Sequence, residues 1–276
     1  MTINQIKEIL LGEPTADQIE ELSQDKRVAV QKLLQSYHKR VEKAALEKER
    51  FYKMLSYERQ YYGDGAKAIA GVDEAGRGPL AGPLVIAAVI LPQDIFISGL
   101  NDSKQISASK RDKLYEQILE KAISISVNIV SVSNIDEHNI YRATQLGMAE
   151  VLLNLDLQPD VALIDAMPVE AGNIKTVSIV HGDALSASIA AASIVAKVTR
   201  DRIMEKLAVL YPAYGFAGNK GYGSKEHMQA IKIEGATQWH RRSYEPVKSM
   251  NLDAVKKRDN ILYSPLKDGY EYEPQN

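Results

Sequence analysis

The sequence predicts an α/β domain preceded by a helical extension. Three observations carry that expectation. Residues 1–62 hold one glycine, Gly12, and one proline, Pro14, with apolar residues at helical intervals and no β-rich run. From residue 67 onward, short Ile/Val-rich runs alternate with longer helical stretches, the pattern of strands covered by helices. The chain is 45% hydrophobic and 25% charged, which excludes a wholly disordered polypeptide. The organisation read from these features is an extension at 1–65, an α/β domain with a C-terminal helical part at 66–250, and a polar tail at 251–276 with the composition of a disordered terminus.

Taken in order, Leu10-Leu11-Gly12 ends a first short helix, and Thr15-Ala-Asp-Gln18 reads as a capping box that opens a second. A single long helix is expected from Arg27 to Tyr61, because Val30, Leu33, Leu34, Tyr37, Val41, Ala44, Phe51 and Leu55 recur three and four residues apart. Between Lys26 and Arg59 there are ten Lys/Arg against four Asp/Glu, with Tyr37, His38, Tyr52 and Tyr57 interleaved and Tyr61 and Tyr62 just beyond. This face reads either as solvated or as an auxiliary nucleic-acid contact. After Gly63-Asp-Gly65, Lys67–Asp73 and Pro83–Leu91 read as strands joined tightly and antiparallel through Gly76–Gly82. Ser107–Lys121 reads as a helix with Ser107 as its N-cap. Ile123–Val132 alternates Ile/Val with Ser/Asn, a half-buried strand; His138–Leu155 reads as a helix. Val161–Ile164 and Val177–Val180 read as short strands, Ser186–Leu210 as a long helix, and Lys225–Gly235 as a last one.

Several function classes fall away on composition. With no cysteine, disulfides, thiolate catalysis and Cys-ligated zinc are impossible. The five histidines match no zinc spacing, and no G-x-S-x-G elbow occurs. The apolar run Leu84–Leu91 is far short of the roughly 18 residues of a membrane span. Residues 1–20 mix Lys7 with Glu8, Glu13, Asp17 and Glu20 and lack the apolar core of a signal peptide, so the expectation is a soluble, cytoplasmic protein without membrane contact. The formal net charge is −2, so affinity for a polyanion depends on where charge sits.

The chemistry concentrates in Ile69–Pro83. A buried strand ends in two adjacent acids, Asp73 and Glu74, followed by a turn carrying Gly76, Gly78 and Gly82. Walker A and Rossmann loops do not fit: no G-K-[ST] follows, and Gly82 comes one place too late. The turn is either a plain hairpin or a place where a ligand meets bare backbone. Asp165 and Asp183 follow two further strands, and acids at three strand ends suggest one crevice. Taken singly, each aspartate has the alternative reading of a loop acid or a helix N-cap, and Asp183, just before Ala184–Lys197, that of a cap. Together, several carboxylates stay ionised only if a cation joins them, and Mg²⁺ or Mn²⁺ suits oxygen ligands. Downstream, Tyr214–Lys225 alternates aromatics with Gly and Lys. It reads as a flexible connection or as a nucleic-acid surface, with Lys197, Arg200, Arg202, Lys206, Arg241, Arg242 and Lys248 extending the basic ground.

At this point the residues resemble a known family. Asp-Glu-Ala-Gly-Arg-Gly-Pro at 73–79 is similar to the signature of bacterial ribonuclease HII, the type 2 ribonucleases H. Ser188–Asp201 resembles its second hallmark, and Asp102-Ser103-Lys104 and Lys220-Gly221-Tyr222-Gly223 resemble two more. The resemblance runs from about 67 to 245; the helical segment 1–62 departs from the minimal pattern. The sister family, ribonuclease HIII, tends to carry Lys where Arg77 stands and fits less well. The resemblance implies an RNase H-like fold, with a mixed five-stranded sheet flanked by helices. It implies that Asp73, Glu74, Asp165 and Asp183 are metal-binding catalytic acids, that Gly76-Arg77-Gly78 clasps a ribose 2′-OH, that Tyr222 stacks on the deoxyribose 3′ of the ribonucleotide, and that Lys104 is an active-site lysine.

The activity so implied is an endoribonuclease, acting as a monomer on RNA–DNA hybrids and on duplex DNA with embedded ribonucleotides. Its expected mechanism uses two Mg²⁺ or Mn²⁺ ions, with Asp73 bridging, one ion activating water and the other stabilising the leaving O3′. Cleavage 5′ of the ribonucleotide would leave 3′-hydroxyl and 5′-phosphate ends and serve ribonucleotide removal from DNA. Two rivals stay open on the residues alone. A non-catalytic nucleic-acid binder would use the basic helix and tail, and a junction resolvase or transposase-like nuclease would use similar clustered acids.

Overall fold

A computed structural model describes residues 1–250, so the polar tail expected at 251–276 lies outside the described residues. The chain divides into two compact units, Met1–Lys53 and the part from Met54 onward. Among the described residues, no helix is long and apolar enough to cross a membrane.

The first unit is helical. Helix α1 (Ile3–Leu11) and helix α2 (Ala16–Ser23) each open on a capping box, at Thr2–Gln5 and Thr15–Gln18. In the second box, Thr15 N–H donates to Gln18 Oε1 at 2.9 Å and Gln18 N–H to Thr15 Oγ1 at 3.3 Å. Ile6, Leu10, Leu22, Val30 and Leu34 form the small core, drawing on both helices and on the start of α3 (Val28–Met54). The stripe expected along α3 is buried only in part, because Val41 is exposed. Nor does one helix run to Tyr61. The chain breaks at Leu55, and α4 (Ser56–Gly63) follows as a member of the second unit.

The tie that places α4 is a buried carboxylate. Glu58 is 2% exposed; its Oε1 accepts from Ser186 Oγ at 2.6 Å and from Ser188 N–H at 2.9 Å. It thereby satisfies amide and hydroxyl donors at the start of a later helix.

The second unit is built on β1 (Ile69–Ala75), β2 (Leu84–Ile90), α5 (Ala108–Lys121), β3 (Ser124–Val130), α6 (Val132–Leu153), β4 (Val161–Asp165), β5 (Lys175–Ile179), α7 (Gly182–Leu185), α8 (Ala187–Leu210), α9 (Phe216–Asn219) and α10 (Lys225–Glu234). The five-stranded sheet has the order β3-β2-β1-β4-β5. β1–β2 and β2–β3 pair antiparallel, whereas β1–β4 and β4–β5 pair parallel. The sheet is therefore mixed, with the tight antiparallel connection that the turn at 76–82 predicts. Helix α6 begins six residues earlier than expected and contains a kink at Asn139, whose φ is 61°.

Alternation along β1 sorts its side chains. Ala70 and Val72 join Ile86, Ala88, Ile164, Met148 and Val151 in the core on one side of the sheet. On the opposite side Gly71 lies hard against α8. A Cβ built at Gly71 would stand 2.0 Å from the Ser188 carbonyl carbon and 2.2 Å from the Ile189 nitrogen. Only glycine lets the helix backbone approach this closely. Gly71→Ala is therefore expected to cost at least about 1–3 kcal/mol, since neither strand nor helix backbone can yield locally. Thermal unfolding should show a loss of several degrees; an unchanged melting temperature would mean that the helix is free to move away.

Candidate active site

The acids of the first motif do not end their strand. Asp73 and Glu74 sit inside β1, opposite Ala87 and Ile86 of β2, and β1 continues to Ala75. Their other neighbour, β4, stops sooner: the β1–β4 pairing ends at Val72–Ile164, and Asp165 is the last residue of β4. The end of β4 thus opens a notch beside Asp73. Asp183 differs slightly from its expected place. It lies in the one-turn helix α7, reached from β5 through His181 in the left-handed conformation. Asp165 organises that turn, because its Oδ1 accepts from Gly182 N–H at 2.7 Å.

Electrostatics couple these groups. Burial, then the charges of Glu74 and Asp165, push Asp73 well above the ordinary carboxylate range, with Glu74 N–H and the Ser193 hydroxyl opposing. Glu74 is raised first by burial and also by Asp165, while Arg77 opposes at 3.4 Å. Its Oε2 is buried with no hydrogen-bond partner. Asp183 is raised by burial and then by Asp102 and Asp165. Lys104 Nζ stands 3.6 Å from Asp183 Oδ2. Burial pulls Lys104 down, but the charges of Asp183, Asp73, Asp102 and Asp165 outweigh it and the net shift is upward. All four candidate acids and the candidate lysine therefore share one electrostatic neighbourhood. Among the described residues, no three acidic or histidine side chains stand at the spacing of ligands around a single ion.

The donor set nevertheless suits a hard cation. It is carboxylate oxygen only, largely buried, with one oxygen unpartnered, and it contains neither thiolate nor imidazole.

The glycine turn is held from behind by two arginines. The sequence reading assigns Arg200 and Arg241 to a basic surface, and here it needs correction. They are 1% and 0% exposed, and their guanidiniums point at backbone carbonyls. Arg200 donates to Pro83 O at 3.0 Å, Ala81 O at 3.1 Å and Lys220 O at 2.9 Å. Arg241 donates to Gly76 O at 2.5 Å, Arg77 O at 2.8 Å and Gly82 O at 2.9 Å. Tyr244 Oη adds a bond to Arg77 O at 2.6 Å. Burial, then mutual repulsion with Arg241, lowers Arg200 to about 10, so it stays charged at neutral pH. Lys197 is likewise engaged, paired with Asp201 at 2.6 Å. At Gly76 the φ of 100° and the Arg200 side chain, 2.1 Å from a Cβ built there, together require glycine.

Tyr222 reaches the same turn from the other side. It is 52% exposed, and a Cβ built on Gly78 would lie 3.6 Å from its Cε1. Gly221 O accepts from Leu80 N–H at 2.9 Å, which docks the Tyr222 loop on the turn. Behind it, His227 and His240 form a buried pair.

Spacing in the sequence flags neither the histidine pair nor Glu58. Asp102 and Ser193 fall within quoted motifs, but nothing in their local pattern marks them as neighbours of the acids.

A mixed five-stranded sheet in this order, flanked by helices and with acids and a glycine turn at one end, belongs to the ribonuclease H-like fold class. The "Ribonuclease HII" family model matches residues 70–247, and the "Ribonuclease HII N-terminal domain" model matches 2–62. The chain is 48% identical over 252 residues to ribonuclease HII of Ligilactobacillus salivarius, covering 91% of this chain and 98% of that one. It is 51% identical over 245 residues to ribonuclease HII of Bacillus anthracis, covering 89% and 94%. Among solved structures, ribonuclease H2 of Pyrococcus horikoshii matches with TM-score 0.57 and 30% identity, over 66% of this chain and 96% of that one. The ribonuclease HII solved with PCNA from Archaeoglobus fulgidus matches with TM-score 0.55 and 27% identity, over 70% and 98%. The chain belongs to the ribonuclease HII family and is a hydrolase of the ribonuclease H kind.

The histidine pair gives a pH expectation. Burial, then His227, hold His240 down at about 3, and burial lowers His227. As pH falls below the ordinary histidine value of about 6.5, the unfolded chain takes up protons that the folded pair refuses. The pair's contribution to stability is thus complete above about 6.5 and is lost progressively toward about 3. At pH about 5 the His240 ¹⁵N resonances should still be those of a neutral imidazole; protonation near pH 6 would contradict this burial.

Proposed function

We propose that this chain cleaves the RNA strand of RNA–DNA hybrids and cuts 5′ of single ribonucleotides embedded in duplex DNA, acting as a monomer in ribonucleotide removal from DNA. The observation that carries this reading is the contiguity of two features: mutually repelling carboxylates, buried or half-buried, on β1, β4 and α7, and an arginine-clamped glycine turn with Tyr222 beside it.

The residues that would hold two divalent ions are Asp73, Glu74, Asp165 and Asp183, since repulsion among like charges is offset by a cation between them. Ions held there would supply Lewis acidity for water activation and for the leaving 3′-oxygen, giving 3′-hydroxyl and 5′-phosphate ends.

The chain's own residues do the rest. Asp73 is fixed by Glu74 N–H, which donates to its Oδ1 at 2.7 Å, and by Ser193. Asp165 is fixed by Gly182 N–H. Lys104 offsets negative charge at Asp183 and is exposed enough to meet a substrate phosphate. In a trans peptide the carbonyl and the next amide N–H point in opposite directions. With the carbonyls of Gly76 and Arg77 held inward by Arg241, the amides of Arg77 and Gly78 face outward, where they can donate to a ribose hydroxyl. The 2′-OH is the group that separates RNA from DNA, and a backbone reader without a side chain at Gly78 leaves room for it. Tyr222 then offers its ring to the adjoining sugar.

The test is a duplex DNA with one ribonucleotide, incubated with Mg²⁺ or Mn²⁺ and with chelator, followed by mapping of product ends. Metal-dependent scission 5′ of the ribonucleotide is expected; scission of all-DNA junctions, or binding without scission, would favour the rivals. Asp73→Asn should lower turnover by at least about 100-fold with a smaller effect on substrate binding. In chelator it should also raise the melting temperature by about 2–4 °C, because a buried, repelled charge is removed. Tyr222→Ala should chiefly reduce cleavage at isolated ribonucleotides. An unchanged preference between that substrate and an all-RNA hybrid would count against stacking.

A further inference from the structure

The proposed chemistry does not use the two imidazoles behind Tyr222. Their Nε2 atoms are 3.0 Å apart, and the rings are 0% and 1% exposed. Their outer hydrogen bonds fix the proton on each. The Tyr222 carbonyl can only accept, so His227 Nδ1, 2.8 Å away, carries a hydrogen. The Thr237 amide can only donate, so His240 Nδ1, 2.9 Å away, is bare. His240 must then carry its hydrogen on Nε2 and donate it to a bare His227 Nε2. One chain of donors results, running from Thr237 N–H through His240 and His227 to Tyr222 O. Tyr214 and Phe216 enclose it, with ring centroids 5.1 Å from His240 and 5.3 Å from His227.

This chain joins the two halves of the substrate-facing surface. His240 anchors the Tyr222 loop through His227, and its neighbour Arg241 holds the carbonyls of Gly76, Arg77 and Gly82. The backbone between them is pinned to the turn as well: Gly82 N–H donates to Trp239 O and Arg241 N–H to Leu80 O, both at 2.8 Å.

We propose that His227 and His240 are positioning residues for selectivity: acting through the Tyr222 carbonyl, they set the Tyr222 ring against Gly78 and so set the preference for an isolated ribonucleotide over continuous RNA. This rests on the reading of Tyr222 given above, and the test separates the two.

Two variants of His227 each keep half of its bonding. In His227→Asn the side-chain amide lies near the Nδ1 position and can still donate to Tyr222 O, but it no longer reaches His240. In His227→Gln the amide lies near the Nε2 position, where it keeps His240 as partner but loses Tyr222 O. kcat and KM are measured for each on a single-ribonucleotide duplex and on an all-RNA hybrid, beside wild type and Tyr222→Ala. The expected result is that Gln lowers the ratio of kcat/KM values about 10-fold, as Tyr222→Ala does, while Asn stays within about 2-fold of wild type; a tenfold change corresponds to about 1.4 kcal/mol. Equal losses in both variants, or no loss in either while Tyr222→Ala loses selectivity, would overturn the positioning role. No change in Tyr222→Ala would instead overturn the reading of Tyr222. Should the variants fail to fold, ¹⁵N-histidine spectra of the wild-type protein still decide the premise. They should show His227 protonated at Nδ1 and His240 at Nε2, and the opposite tautomers would refute it.

Discussion

The closeness of α8 to β1 is the constraint on which the site depends. A strand can accept a helix backbone at about van der Waals distance only if the intervening side chain is absent, and Gly71 supplies that absence. The Ser188 and Ile189 backbone of α8 meets the strand there, and the next residues along the helix, Ala191, Ala192 and Ser193, are small and buried. Once seated, α8 delivers side chains along the whole length of the site. Its first turn receives Glu58 from α4. Ser193, two turns on, reaches Asp73 and shares a 2.8 Å bond with Ser103, next to Lys104. Arg200, two turns further, takes the carbonyls of Ala81 and Pro83, and Met204 lies beneath Gly82 and Gly221. A shift of this helix away from the sheet would loosen the acids, the turn and the Tyr222 loop together, because all three are tied to one rigid rod.

Such a site is costly to the fold. Buried carboxylates repel one another, and burial alone disfavours their charged forms. Two guanidiniums are buried beneath the turn without a carboxylate as direct hydrogen-bond partner, satisfied by carbonyl dipoles. The arrangement resembles strain held for function, where groups unfavourable to the free protein are favourable to a charged ligand. Separation by sign makes this workable. The acids line the notch beside β4, while the arginines lie beneath the turn, kept from water and engaged with its backbone carbonyls.

How much of this was legible in the sequence follows from how local each feature is. The capping box at Thr15–Gln18 and the N-cap Ser107 are local patterns, and the helices begin where those patterns put them. The mixed sheet follows from the resemblance and from a glycine turn too short to carry a parallel crossover. The break at Leu55 is invisible, because no glycine or proline marks it; tertiary ties of Glu58 place α4 instead. Arg200 and Arg241 misled the reading since a charged residue is ordinarily solvated, and no sequence rule says which arginine will find carbonyls inside. The four acids were recognisable as residues, yet their mutual coupling arises from where β4 stops, which depends on strand pairing and not on local composition. The histidine pair is thirteen positions apart and answers to no motif.

The direction of hydrogen bonds gives the arrangement its logic. A surface that must tell a ribose from a deoxyribose needs donors and acceptors at fixed places, and flexible side chains fix them poorly. Here the fixed groups are backbone amides, oriented by what grips the opposite end of each peptide. Cations suit that grip, because they donate to carbonyls only and so turn the N–H groups the other way. Neutral imidazoles serve the Tyr222 loop for the same reason: a chain of donors with one polarity has one arrangement, whereas hydroxyls could reverse. The buried arginines and histidines are thus two versions of one device, in which polar groups kept from water set the orientation of the backbone at the glycine turn and the Tyr222 loop.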